Sequence, residues 1–193
     1  MTDTARFEAF VREYEDMVYG TAVRLLANPS EAEDIAQTVF LKAFERFEAI
    51  GASPAAAGWL KTVATNLCLN HLSRYRSRWR FFSELQPAGM DDTAQSDHID
   101  RLLASRSTEA AKNVTGSSRD DALTAAEQQE RLEGALRALP DHQRVPLVLF
   151  HFEGKSYLEI ASLLDVTLAK VKTDIHRGRE ALKQALVSHH AAR

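Results

Sequence analysis

Cysteine is nearly absent from this chain, at one in 193 residues. That excludes a disulfide framework and a four-cysteine zinc site. Long apolar runs are missing too. The longest strongly apolar stretch, Val145 to Phe150, is interrupted by Pro146, far short of the roughly 20 residues a membrane helix needs. The first residues are polar and acidic, without the apolar segment of a signal peptide, so a reducing, cytoplasmic setting is expected. No stretch alternates convincingly with period two, which argues against strands. No glycine-rich phosphate loop, nucleophile elbow or paired-carboxylate motif is present, so neither an enzyme nor a cofactor is expected. What remains is ordinary globular composition, 45% hydrophobic and 26% charged, with chain enough for two small domains.

Acidic residues are wholly absent from residues 49–81, which carry 5 basic ones. Residues 1–48 hold 5 basic and 10 acidic residues, 82–133 hold 5 and 11, and 134–193 hold 9 and 6. The overall charge of -3 therefore conceals two basic blocks separated by two acidic ones. A polyanion has two places to touch, and a basic partner has the acidic remainder.

Helical periodicity runs through most of the chain, and the spacing predicts an all-α fold. Phe7, Phe10, Val11, Tyr14, Met17, Val18, Thr21, Ala22 and Leu25 recur at three and four, a first helix ended by Asn28-Pro29. Ser30 with Glu33 reads as a capping box opening a second helix. Its core stripe is Ile35, Ala36, Val39, Phe40, Ala43, Phe44 and Phe47, and Gly51 ends it. Ser53-Pro54 opens a third helix, which buries Trp59, Leu60, Val63, Ala64, Leu67 and Leu72 and runs out into Arg74, Arg76, Arg78, Trp79 and Arg80. Periodicity fails over 83–120, which reads as a flexible linker with one short helix in Ser96–Ser105. It returns over 121–188, with Leu123, Ala126, Leu132, Ala135, Leu136 and Leu139 on one face before Pro140 starts the next helix. Two short helices and a tail complete the chain. Two small helical domains, 3–82 and 121–188, are thus expected, each marginally stable alone.

The sharpest local pattern lies in residues 156–180. Ser156-Tyr157-Leu158-Glu159 is a capping box that opens a helix burying Ile160, Ala161 and Leu164. Asp165-Val166 makes a turn, and Thr167 caps a helix that buries Val171 and Ile175. This is helix-turn-helix spacing. The second helix offers Thr167, Lys170, Lys172, Thr173, Asp174, His176, Arg177 and Arg179 to a major groove, where cations hold phosphates and read guanine.

The third helix carries Thr62, Asn66, Asn70 and Ser73 as a polar stripe beside its core stripe, in the acid-free block. Amides hydrogen-bond unpaired base edges and arginines neutralise phosphates, so single-stranded bases are candidate ligands. Cys68 and His71 stand one helical turn apart, but no further pair completes a metal site, and no metal is expected. His142 and His151 lack partners at ligand spacing.

These residues resemble a known family. Asp34-Ile35-Ala36-Gln37-Thr38-Val39-Phe40 is similar to the D-x-x-Q-x-x-F run of bacterial sigma factors, and Trp59-Leu60-Lys61-Thr62-Val63-Ala64-Thr65-Asn66 to the W-L-x-x-I-A-x-N that follows it. Leu139-Pro140, the run Phe152 to Ala161 and Val171-Lys172 resemble the second sigma domain. The match is to the short extracytoplasmic-function (ECF) class, and the joint order and spacing carry it. The resemblance implies a promoter-specificity subunit that joins core RNA polymerase, reads the minus-thirty-five duplex with its C-terminal motif and melts the minus-ten element with its N-terminal domain. An anti-sigma factor would be a further partner. It implies that Asn66, with Asn70 as a weaker neighbour, captures a flipped base. Lys61, Arg74, Arg76 and Arg78 would hold phosphates, and Asp34, Gln37 and Leu41 would dock on the polymerase clamp. The chain departs from the family at Ala169-Lys170, where Gly-Thr is usual, and at Asp174, where Arg is usual. An acid there would repel phosphates or read cytosine N4.

Two other classes fit parts of the pattern. A stand-alone helix-turn-helix regulator would use its N-terminal half to sense a ligand or dimerise. A helical interaction protein would touch no DNA. Promoter-dependent run-off transcription from core polymerase separates all three.

Overall fold

The computed structural model describes residues 3–72 and 119–188, with side chains over 4–72 and 127–187. Among the described residues every regular element is a helix. The chain divides into two compact units, Met1–Arg76 and Ser77–Arg193.

The first unit holds α1 (Asp3–Leu26), α2 (Pro29–Glu45), the short α3 (Phe47–Ile50) and α4 (Ala56–Leu72). α1 packs on α2 and α4, and α2 packs on α4. Their shared core is Phe10, Val18, Val39, Ala43, Ala56, Leu60 and Ala64, with Phe7, Tyr14, Met17, Ile35, Phe40, Phe47 and Trp59 packed round it. Trp59 is therefore a core-edge residue.

Three local expectations are corrected here. Ser30 is not the cap of α2. Asn28 is, its Oδ1 accepting from the Ser30 N–H at 3.1 Å, because Pro29 takes the first helical position, where its missing N–H costs nothing. Phe44 is not core: it is 59% exposed and keeps only an edge contact with Phe7, ring centroids 4.9 Å apart. The helix also does not run unbroken to Gly51. It breaks at Arg46 (φ -118, ψ 16), which turns Phe47 back onto Phe7 and Phe10. Gly51 has ordinary right-handed angles, and its role is close approach. A Cβ there would stand 2.5 Å from Phe47 Cε2 and 2.8 Å from the Phe47 carbonyl oxygen.

The second unit holds α5 (Arg119–Ala138), α6 (Asp141–His151), α7 (Tyr157–Leu164) and α8 (Leu168–Ser188). α5 starts two residues before the expected domain start at 121, and α8 is a long helix of 21 residues rather than a short one. The expected short helix in Ser96–Ser105 lies outside the described residues. α8 packs on α5, α6 and α7. Leu132, Leu136, Val145, Leu147, Val148, Leu149, Ile160, Leu164, Val171, Ile175 and Leu182 are buried there. The α5–α6 junction is held by Arg144, a buried guanidinium that donates to the Leu139 carbonyl at 2.7 Å and pairs with Asp141. No described helix is long and apolar enough to cross a membrane.

Candidate nucleic-acid interface

The helix-turn-helix forms as the caps foretell. The Ser156 Oγ accepts from the Glu159 N–H at 3.3 Å, and the Ser156 N–H donates to Glu159 Oε2 at 2.8 Å. The Ser156 backbone N–H, and after it the Ser156 hydroxyl donating to Glu159 Oε2 at 2.7 Å, hold the Glu159 carboxyl below its ordinary value. Asp165 ends α7 in the left-handed region at φ 55, tolerable for Asp because its short polar side chain suits that region. The Thr167 Oγ1 accepts from the Lys170 N–H at 3.2 Å and so caps α8.

The face of α8 is narrower than the sequence suggests. Lys172, His176 and Arg177 are exposed, as are Thr167 and Ala169. Thr173 is half-buried, its hydroxyl donating to the Ala169 carbonyl at 3.0 Å. Three of the residues expected on this face are turned elsewhere. Asp174 is buried, and its carboxylate pairs with Lys170 Nζ at 2.9 Å, the two side chains 8% and 11% exposed. Burial pushes the Asp174 carboxyl above its ordinary value, against the pull of Lys170. Arg179 is half-buried, its Nε 3.2 Å from His151 Nε2 and its guanidinium over the Phe150 ring at 5.5 Å. For Lys170 and Asp174 the physical reason is angular: at about 100° per residue, each lies roughly 200° round the helix from Lys172. Arg179 shares the bearing of Lys172 and is instead held by His151 and Phe150 of α6. His151 and His142, unassigned from the sequence, each face this helix from α6, and burial pushes His142 below its ordinary value.

In the first unit, Thr62, Asn66 and Asn70 form an exposed stripe one turn apart along α4. Thr62 is committed to its own helix, its hydroxyl donating to the Gly58 carbonyl at 2.8 Å. Lys61 is half-buried and lies about 140° from Asn66 and about 180° from Asn70 round the helix, so it does not join the asparagines. Arg74, Arg76 and Arg78 lie outside the described residues. Cys68 is buried while His71 is exposed and pairs through Nε2 with Glu31 at 3.2 Å, so the two do not converge on a shared site. Among the described residues no cluster of three His, Cys, Asp or Glu could hold a metal.

On α2, Asp34, Gln37 and Leu41 are exposed along one stripe. The structure adds Phe44, which helical spacing alone places on the core stripe. The signal was available: positions 34, 37, 41 and 44 continue one three–four spacing, and Phe44 extends it. Leu41 and Phe44 leave an apolar strip on an otherwise polar face, at 67% and 59% exposure.

Two family models match the chain. Residues 10–79 match the family Sigma-70 region 2, and residues 129–182 match Sigma-70, region 4. The chain is 29% identical over 184 residues to the ECF RNA polymerase sigma factor SigW of Bacillus subtilis, covering 95% of this chain and 90% of that one. It is 33% identical over 184 residues to the ECF RNA polymerase sigma factor SigE of Mycolicibacterium smegmatis, covering 95% of this chain and 62% of the other. The solved sigma factor RpoE in complex with the anti-sigma factor NepR from Bartonella quintana covers 93% of this chain and 96% of its own at 19% identity, with a TM-score of 0.46.

Proposed function

The chain belongs to the extracytoplasmic-function class of RNA polymerase sigma factors, and from that premise we propose how its two helical units divide the work. As a sigma factor it binds core RNA polymerase and directs promoter-specific transcription initiation. In our reading, the domain over 3–82 docks on the polymerase through Asp34, Gln37, Leu41 and Phe44 and opens the minus-ten element. The domain over 121–188 reads the minus-thirty-five duplex through Lys172, Thr173 and Arg177, with Thr167 at the start of the helix. Residues 83–120 join them. Such a subunit works in the cytoplasm and supplies no chemistry and no cofactor of its own; the reaction belongs to the polymerase.

One observation carries this reading: Asn66 and Asn70 stand exposed, one turn apart, on a helix whose block lacks any acid. Extruding a base from the stack costs a few kcal/mol, and amide partners for its edge offset that cost. The arginines 74, 76 and 78 would add phosphate contacts to the same strand. The apolar strip on α2 supports the docking role, since an exposed Leu and Phe on adjacent turns fit a partner surface. An anti-sigma factor that covers this strip would block polymerase docking. Run-off transcription with core polymerase and the full chain tests the whole reading. Expected is a promoter-dependent transcript that needs both components. Duplex binding without polymerase, and no transcript with it, would replace the reading with a stand-alone regulator.

A further inference from the structure

Lys170 and Asp174 are on the side of α8 that packs against α6. Asp174 lies on the same buried flank as Val171, Ile175 and Gly178. At Gly178, one turn on from Asp174, there is no room for a side chain: a Cβ would meet Leu147 Cδ1 at 2.9 Å and the Gln143 carbonyl oxygen at 3.3 Å. The two helices therefore cross at close range. Beside that crossing, Lys170 Nζ lies 2.9 Å from one Asp174 oxygen and 3.2 Å from the other. His142 faces the pair from α6, with Arg177 on α8 and Asp141 on α6 adding charge nearby.

A charge held this far from water needs its partner in place, because removing one member leaves the other buried and uncompensated. Both members belong to α8, so the pair keeps the two charges together on the inward flank, while the close crossing at Gly178 holds the bearing of α8 against α6. Lys172 lies roughly 200° away from Asp174, and Ala169, Thr173 and His176 are within about 100° of Lys172.

Building on the reading of α8 as the duplex-reading helix, we propose that Lys170 and Asp174 form an inward clasp. The clasp withholds both charges from DNA and leaves the outward face of α8 to Lys172, Thr173 and His176. It explains how an acid is accommodated in a helix that meets phosphates: Asp174 is neutralised within its own helix and turned inward. The sequence preference of the helix then rests on Lys172, Thr173 and His176, and neither residue of the clasp reads a base.

The test uses holoenzyme assembled from core polymerase and the full chain, with duplexes that this holoenzyme enriches from a randomised pool. No enrichment at all would overturn the duplex-reading role on which the clasp rests. Given enrichment, Lys172→Ala lowers the salt slope of binding by about 0.9, so its affinity falls ~3.5-fold less than the wild type's across a fourfold rise in salt. If the clasp withholds Lys170 from DNA, Lys170→Ala removes no phosphate contact and leaves the slope unchanged; a drop equal to that of Lys172→Ala would show Lys170 on a phosphate and overturns the clasp. Asp174→Lys sets two cations together and weakens the sequence preference. Adding Lys170→Asp rebuilds the pair in reverse and restores the wild-type preference. A new preference that persists in the reversed pair would make Asp174 a base-reading residue and overturn the proposal. Thermal unfolding is recorded for each variant, and if Asp174→Lys does not fold, the Lys170→Ala slope decides alone.

Discussion

Truncating the apolar strip of α2 separates docking from folding. In the free chain Leu41 is 67% and Phe44 59% exposed. Fully burying a side chain of this kind contributes about 1.5–3 kcal/mol, so covering the exposed part of each against a partner is worth roughly 1–2 kcal/mol. Leu41→Ala with Phe44→Ala should therefore weaken core polymerase binding by about 2–4 kcal/mol, at least ~30-fold. The folded chain loses far less. Leu41 is mostly in water already, and Phe44 gives up an edge contact with Phe7 worth about 0.5–1.5 kcal/mol. The assay is competition of labelled chain for core enzyme, beside a thermal melt of each single variant. Leu41→Ala should leave the melt in place, and Phe44→Ala should lower it by a few degrees at most. An affinity within threefold of wild type, with folding intact, would refute the argument and move the docking face off α2.

Further outcomes are expected from the same structure. Asn66→Ala should leave polymerase binding unchanged and reduce promoter opening by at least tenfold, read by permanganate reactivity of minus-ten thymines; undiminished reactivity removes Asn66 from the site. Gly51→Ala should destabilise the chain by about 1–3 kcal/mol in urea unfolding, since the new methyl meets the Phe47 carbonyl as well as its ring. His142 is held below its ordinary value chiefly by burial. The unfolded chain therefore binds this proton first as pH falls, and stability drops from the ordinary histidine range downward through the lowered value. Urea unfolding from pH 7.5 to pH 5 should show this drop in the wild type and a shallower one in His142→Gln, and equal slopes would argue against the assignment.

The elements that sequence specified well are those whose signals are local. The Ser156–Glu159 box, the left-handed Asp165 and the Thr167 cap each depend on residues within a few positions of one another, and all three form. The Ser30 box failed on local chemistry too, because two rival caps lay two residues apart and Pro29 decided between them. What stayed illegible depends on how helices are turned against their neighbours. Phe44 fits a core stripe by type, yet the break at Arg46 sends Phe47 inward and leaves Phe44 out. Lys170, Asp174 and Arg179 look like groove-facing residues in a charged run, but partners on α6 and within α8 hold them. Composition alone gives no sign of those partners. The asparagine stripe of α4 and the α2 strip were readable because exposure there follows simple helical spacing.

Arg144 sets where the C-terminal unit can be cut. Its guanidinium takes the carbonyl of Leu139 from the end of α5 and the carboxylate of Asp141 from the start of α6. The bend at Pro140 is thus latched by a single buried side chain that needs both sides of the bend. A fragment beginning at Pro140 would keep the whole helix-turn-helix and lose the Leu139 carbonyl from that cation, along with the cover that Leu132 and Leu136 give the core. Fragments for crystallisation or for DNA titration should therefore start upstream, inside α5. A shorter piece that includes every residue of the reading helix should fail to fold, for reasons remote from DNA.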